Sequence, residues 1–173
     1  MTHLTKIALL VGALAVSACT NAGRFGQDDP RLDGSAGAGA GAGFVPGGAG
    51  DPSSPAYFQQ AIGDRVLFLV DQSSLTAEAQ ATLDQQAEWL LTNSDYQAVI
   101  EGHADERGTR DYNIALGERR ANAAKNYLAS LGIDPGRITT VSYGKERPIE
   151  ICSDESCYAK NRRAVTVLGG AGS

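Results

Sequence analysis

Three kinds of hydropathy pattern follow one another along the chain. An apolar run from Ile7 to Val16 opens it, no period holds from Thr20 to about Pro55, and strand-like and helix-like patterns alternate from about Ala56 to Leu168. Arg65 to Val70 reads R-V-L-F-L-V, a continuous apolar run that predicts a buried strand. Behind Thr76, placed as an N-cap, Ala79, Leu83, Ala87, Leu90 and Leu91 recur at helical spacing and predict an amphipathic helix ending near Asn93. Gln97 to Glu101 predicts a second strand, followed by a polar loop from His103 to Tyr112. A second helix is expected from about Asn113 to Leu131, with Leu116, Ala123, Ala124, Tyr127, Leu128 and Leu131 as its apolar stripe and Gly132 as its stop. Ile138 to Tyr143 and Arg163 to Leu168 complete the strands. This alternation, without internal repeats, argues for crossover units packed as one sheet with helices on a face.

Composition narrows the class. The 173 residues carry 15 Lys+Arg against 20 Asp+Glu, a formal net charge of -5, which gives no basic footprint for nucleic acid. The opening segment, with His3 and Lys6 ahead of the apolar run and Ser17-Ala18-Cys19 after it, has the layout of a secretory signal, expected over residues 1–18. Its end, Val16-Ser17-Ala18-Cys19, resembles the bacterial lipobox. That resemblance implies acylation of Cys19 and, with Thr20 rather than Asp behind it, sorting to the outer membrane. Two or more acyl chains anchor durably where one holds weakly. Residues 19–55, with alternating Ala-Gly from Ser35 to Gly43 and then a run of Gly and Pro, read as a flexible linker. As a coil, its 36 residues from Thr20 to Pro55 span roughly 33 Å. The domain is expected at 56–168 and a flexible tail at 169–173.

With Cys19 set aside, Cys152 and Cys157 remain as an even pair in an exported chain, which predicts a disulfide. Their C-x4-C spacing fits neither the C-x-x-C redox motif nor the usual zinc pairing. The densest chemistry lies in Glu101 to Ala121, EGHADERGTRDYNIALGERRA. Asp105 and Glu106 stand at a strand end, and Arg119 and Arg120 follow on a helix whose Leu116 shares a face with Arg120. Asn113 is expected to open that helix, among free N–H groups. Asp105 suits an ammonium, and the planar fork of Arg120 suits a carboxylate, so an amino-acid headgroup could be held between them. The plainer alternative is that the two side chains pair with each other.

The same stretch, with VSYGKERP from Val141 to Pro148 and YAKNRRAV from Tyr158 to Val165, resembles the peptidoglycan-associated lipoproteins. These belong to the family sharing the carboxy-terminal domain of outer-membrane protein A. The resemblance implies an α+β fold, a single mixed sheet of about four strands with two main helices on one face. It also implies non-covalent binding of peptidoglycan through the diaminopimelate of its stem peptide, without turnover. Asp105 would receive the diaminopimelate ammonium and Arg120 its carboxylate, with Asn113 and Leu116 lining the pocket and Gly108 and Thr109 shaping the loop. Asp71 matches a contact position after the first strand, and Arg162 and Arg163 match basic residues at the rim. Leu69 stands where the family usually carries an acidic residue, and the Cys152–Cys157 loop departs from the familiar pattern. TolB-like and other Tol proteins are the implied partners, in envelope integrity and cell division, with the domain in the periplasm and no cofactor.

The competing class is a wall-associated hydrolase or thiol enzyme. His103 is the one histidine outside the leader, so a histidine-rich metal site lacks ligands. Neither a G-x-S-x-G elbow nor a Walker loop occurs. A thiol nucleophile paired with His103 conflicts with the expected disulfide, and His103 is expected to pack at the loop base as a hydrogen-bonding residue. Tyr57, Trp89, Tyr96 and Tyr143 read as core or ordinary surface rather than a carbohydrate platform.

Overall fold

The computed structural model describes residues 46–170. The expected leader, Cys19, the linker up to residue 45 and residues 171–173 of the expected tail lie outside them. Along the described chain run a helical turn α1 (Pro55–Tyr57), which passes into a π-helical turn (Phe58–Gly63), and then β1 (Arg65–Leu67), α2 (Ala77–Thr92), β2 (Gln97–His103) and α3 (Arg110–Ser130). A 3-10 turn (Pro135–Arg137), β3 (Ile138–Gly144), α4 (Glu155–Asn161) and β4 (Arg163–Gly169) follow. The strands form one mixed sheet in the order β1-β4-β2-β3, with β4 antiparallel to both neighbours and β2 parallel to β3. The parallel pair is joined through α3, as a parallel connection requires.

Sheet periodicity sorts the residues. Val66, Ile100 and Ala164 join the core with Leu83, Ala87, Leu90, Ala121, Ala124 and Leu128 of the two long helices. Leu67 and Val167 point the other way and stay exposed. Thr76 caps α2, accepting the Ala79 N–H at 3.2 Å, and Thr109 caps α3, accepting the Tyr112 N–H at 3.3 Å. The second helix therefore opens three residues before Asn113, with Thr109 supplying the cap while the Asn113 amide is turned to the Arg107 carbonyl. Leu91 and Leu131, expected in the apolar stripes, are exposed. Leu131 stands past the end of α3, and Ile133 turns inward in its place.

Two further corrections bear on the site. The expected buried strand from Arg65 to Val70 is a three-residue edge strand, and Leu69 and Val70 are exposed. The ladder ends because the carbonyls of Leu69 and Gln72 turn to Arg120 Nη2 and Nε, at 3.2 and 2.8 Å. The linker expectation is too long at its C-terminal end. Ser54 is buried and caps α1, Trp89 Nε1 donates to the Pro52 carbonyl at 2.6 Å, and Tyr96 Oη donates to that of Ser53 at 3.3 Å.

Candidate functional site

Two glycines set the height of α3 over the sheet. A Cβ on Gly102 would lie 1.8 Å from the Gly117 carbonyl oxygen, and one on Gly117 would lie 2.4 Å from Ser142 Oγ. Neither position admits a side chain, so the helix rests directly on β2. Ser142 Oγ also donates to the Ile114 carbonyl at 2.6 Å, fastening the same turn to β3. Leu116 and Arg120 flank this contact and are thereby carried down toward the end of β2.

There they meet the loops after β1 and β2 in a cleft of about 350 Å³, lined among others by Asp71, Asp105, Arg107, Tyr112, Leu116 and Arg120. Gly108 and Asn113 also line it. Asn113 is buried and donates from Nδ2 to the Arg107 carbonyl at 2.8 Å, holding the β2–α3 loop in shape. Asp71 adopts a left-handed backbone with φ of 57°, a conformation Asp tolerates better than most residues, and its carboxylate accepts the Tyr112 hydroxyl. Thr109 stands beside the cleft as the α3 cap.

Arg120 is buried and reaches the cleft only at its lining. Its Nη1 donates to the His103 carbonyl at 2.8 Å, beside the two bonds to Gln72 and Leu69, and its guanidinium lies 5.2 Å over the Phe68 ring. Three of the five guanidinium N–H groups are thus spent on main-chain carbonyls. Burial pulls the pKa down to about 10, against the pull of Asp105, so the group stays cationic at neutral pH. Asp105 does not pair with it. Asp105 Oδ2 accepts from Arg107 Nη2 at 2.6 Å and from Arg162 Nη1 at 3.2 Å, and Oδ1 accepts the Arg107 N–H at 3.2 Å. Burial alone would raise its pKa, but these hydrogen bonds outweigh it and hold the carboxyl below the usual range.

The basic pair expected at the rim is not there. Arg162 and Arg163 are both buried. Arg162 sits behind Asp105 and ties it to the Phe68 carbonyl and to Glu155, at 3.1 and 2.5 Å. Arg163 donates to the carbonyls of Asn161 and Arg147 and does not line the cleft. Arg107, Tyr112 and Glu155 belong to the site and were passed over in the sequence, although Arg107 stands two residues from Asp105. Glu155 had no local signal beyond its place between the cysteines. Those cysteines are bonded, with Cα atoms 5.9 Å apart. His103 is 2 % exposed, stacks on Tyr143 and makes no side-chain hydrogen bond among the described residues, contrary to the expected role. No group of three or more His, Cys, Asp or Glu among the described residues is placed to hold a metal ion.

The fold of helices on a four-stranded mixed sheet is one that known proteins share. The OmpA family profile matches residues 67–162. A peptidoglycan-associated lipoprotein of Rhizobium meliloti (strain 1021) is 51% identical over 164 residues, covering 95% of this chain and 87% of that protein. One from Mesorhizobium japonicum is 56% identical over 126 residues, 73% of this chain and 75% of that protein. The crystal structure of the peptidoglycan-associated lipoprotein from Burkholderia pseudomallei superposes with a TM-score of 0.62 at 38% identity, over 70% of this chain and 98% of that one. The C-terminal domain of Helicobacter pylori MotB, at 17% identity, shares the fold with a TM-score of 0.58 over 62% of this chain and 84% of that domain. The chain belongs to the OmpA family. Among its described residues no helix is long and apolar enough to cross a membrane.

Proposed function

We propose that the protein is a lipid-anchored, non-catalytic binder of peptidoglycan that tethers the outer membrane to the wall. The observation that carries this reading is the shared cleft, in which Asp105 and Arg120 present opposite charges without neutralising each other. A diaminopimelate side chain of the stem peptide would place its ammonium at Asp105. Its carboxylate would meet the remaining N–H groups of Arg120 and the Asn113 edge, and its methylenes would lie along Leu116. Gly108 and Thr109 shape the loop above, and Asp71, held by Tyr112, closes the far side. Relatives named for peptidoglycan association support the ligand class. Cys19 would carry the anchor at the outer membrane, with the domain in the periplasm, and TolB-like and other Tol proteins would be the partners in envelope integrity and division.

The hydrolase reading finds no support. Cys152 and Cys157 are bonded to each other, and His103 is enclosed by the sheet and Tyr143. The test is co-sedimentation with purified peptidoglycan. The protein should pellet, free diaminopimelate should release it, and no soluble wall fragments should appear. Failure to pellet, or binding indifferent to diaminopimelate, would overturn the proposal.

A further inference from the structure

The carboxylate assigned to a ligand ammonium already holds two cations, and they differ in freedom. The Arg162 side chain is 5% exposed and fixed by the Phe68 carbonyl. That of Arg107 is 44% exposed, and its guanidinium lies 4.6 Å over the Tyr158 ring, with Nη2 only 3.8 Å from Glu155 Oε2. An ammonium arriving at Asp105 Oδ2 meets Arg107 as a like charge at the same oxygen, and at such range repulsion is strong. Arg107 is the cation able to move, and the next carboxylate along its path is Glu155.

Glu155 is presented by a restrained loop. It lies between Cys152 and Cys157, which are bonded. Asn161, fully buried, grips the preceding residues from inside: its Oδ1 accepts the N–H groups of Ile149 and Glu150, and its Nδ2 donates to the Glu150 carbonyl. Glu155 Oε1 accepts from Arg162 Nη2 at 2.5 Å, leaving Oε2 turned toward Arg107. Two carboxylates and two guanidinium groups thus form one neutral network, to which a ligand ammonium adds a charge.

We infer that Glu155 is a positioning residue of the ammonium subsite, taking over Arg107 when a cationic ligand group displaces it from Asp105, and that the Cys152–Cys157 bond fixes the loop presenting it. The inference rests on the assignment of Asp105 to a ligand ammonium. Arg107 then acts as a resident competitor, and the loop sets how readily it gives way.

Calorimetric titration of the full-length protein with a soluble diaminopimelate-containing muropeptide tests this. Arg107→Ala should bind about threefold more tightly, because Arg162 still orients Asp105 while the competitor is gone. Glu155→Gln should bind about three- to fivefold more weakly, since an amide still accepts from Arg162 but cannot neutralise Arg107. In the Arg107→Ala background the same Glu155→Gln change should cost less than about twofold, the mark of direct coupling between the two. The Cys152→Ser/Cys157→Ser double variant, folded by circular dichroism, should show the Glu155→Gln loss. Equal losses from Glu155→Gln in both backgrounds, or no loss in either, would overturn the inference while leaving the proposed function standing. Absence of muropeptide binding by the unaltered protein would remove both.

Discussion

A buried guanidinium is held in this protein by three main-chain carbonyls, two from the loop after β1 and one from the end of β2, so Arg120 is a structural strut as well as a candidate ligand group. From the sequence, Arg120→Ala is expected to abolish peptidoglycan binding and leave the domain folded. The geometry revises the second half. Truncation strands three acceptors and should lower stability by about 2–4 kcal/mol in urea unfolding. Asp105→Asn should likewise abolish co-sedimentation and, because the carboxylate accepts from Arg107 and the buried Arg162, should also lower stability by about 1–3 kcal/mol in urea unfolding. His103 supplies a pH signature. Burial, reinforced by the charges of Arg163 and Arg147, lowers its pKa to about 4. The folded state therefore binds fewer protons than the unfolded one. Its stabilising share, present above about pH 6.5, is lost as pH falls through about 4. Proton NMR should show its imidazole titrating near 4, and a midpoint near 6.5 would refute the burial argument. Asp105 and Arg120 were legible because motif and charge both mark them, whereas Arg162 read as a rim cation because its burial depends on partners as far as 94 residues away.

At the level of elements, the α3–β2 contact decides whether the cleft exists at all. Gly117→Ala would drive a methyl into Ser142 Oγ and the Gly102 carbonyl, lifting the helix that carries Leu116 and Arg120. We expect a stability loss of about 1–3 kcal/mol, together with weakened peptidoglycan binding. Native stability with full binding would show that the helix does not need this close approach. Removing the α3 cap by Thr109→Ala should cost about 1 kcal/mol, measured as a shifted urea midpoint, and should leave a frayed first turn beside the cleft. Helix α2 was legible to within two residues because Thr76 and the apolar spacing agree. Strand β1 was overread for a physical reason. Apolar runs of this kind mark backbone suited to a sheet, but the carbonyls of Leu69 and Gln72 are claimed by a side chain about fifty residues on, which no local pattern can register.

For the whole molecule, a single sheet with helices on a face follows from alternation and the disulfide from cysteine parity, the mixed strand directions follow only from the family resemblance, and the ends of the domain follow from neither. Reducing Cys152–Cys157 should lower the stability of the whole by about 2 kcal/mol, as closure of so short a loop implies, and an unchanged unfolding midpoint after reduction would contradict this. The segment before α1 behaves differently from the linker its composition suggests, because Pro52 and Ser53 offer carbonyls to aromatic donors on and beyond α2, and Gly and Pro content is silent about such caps. Those two bonds meet a load applied at the amino-terminal side one after the other, as a zipper does, whereas the sheet strands share theirs. Pulled from that side, the molecule should surrender the turn around Asp51–Ser54 first and lengthen by at most about 14 Å before any strand parts. That extension would act as a mechanical fuse, sparing the sheet from sudden tension.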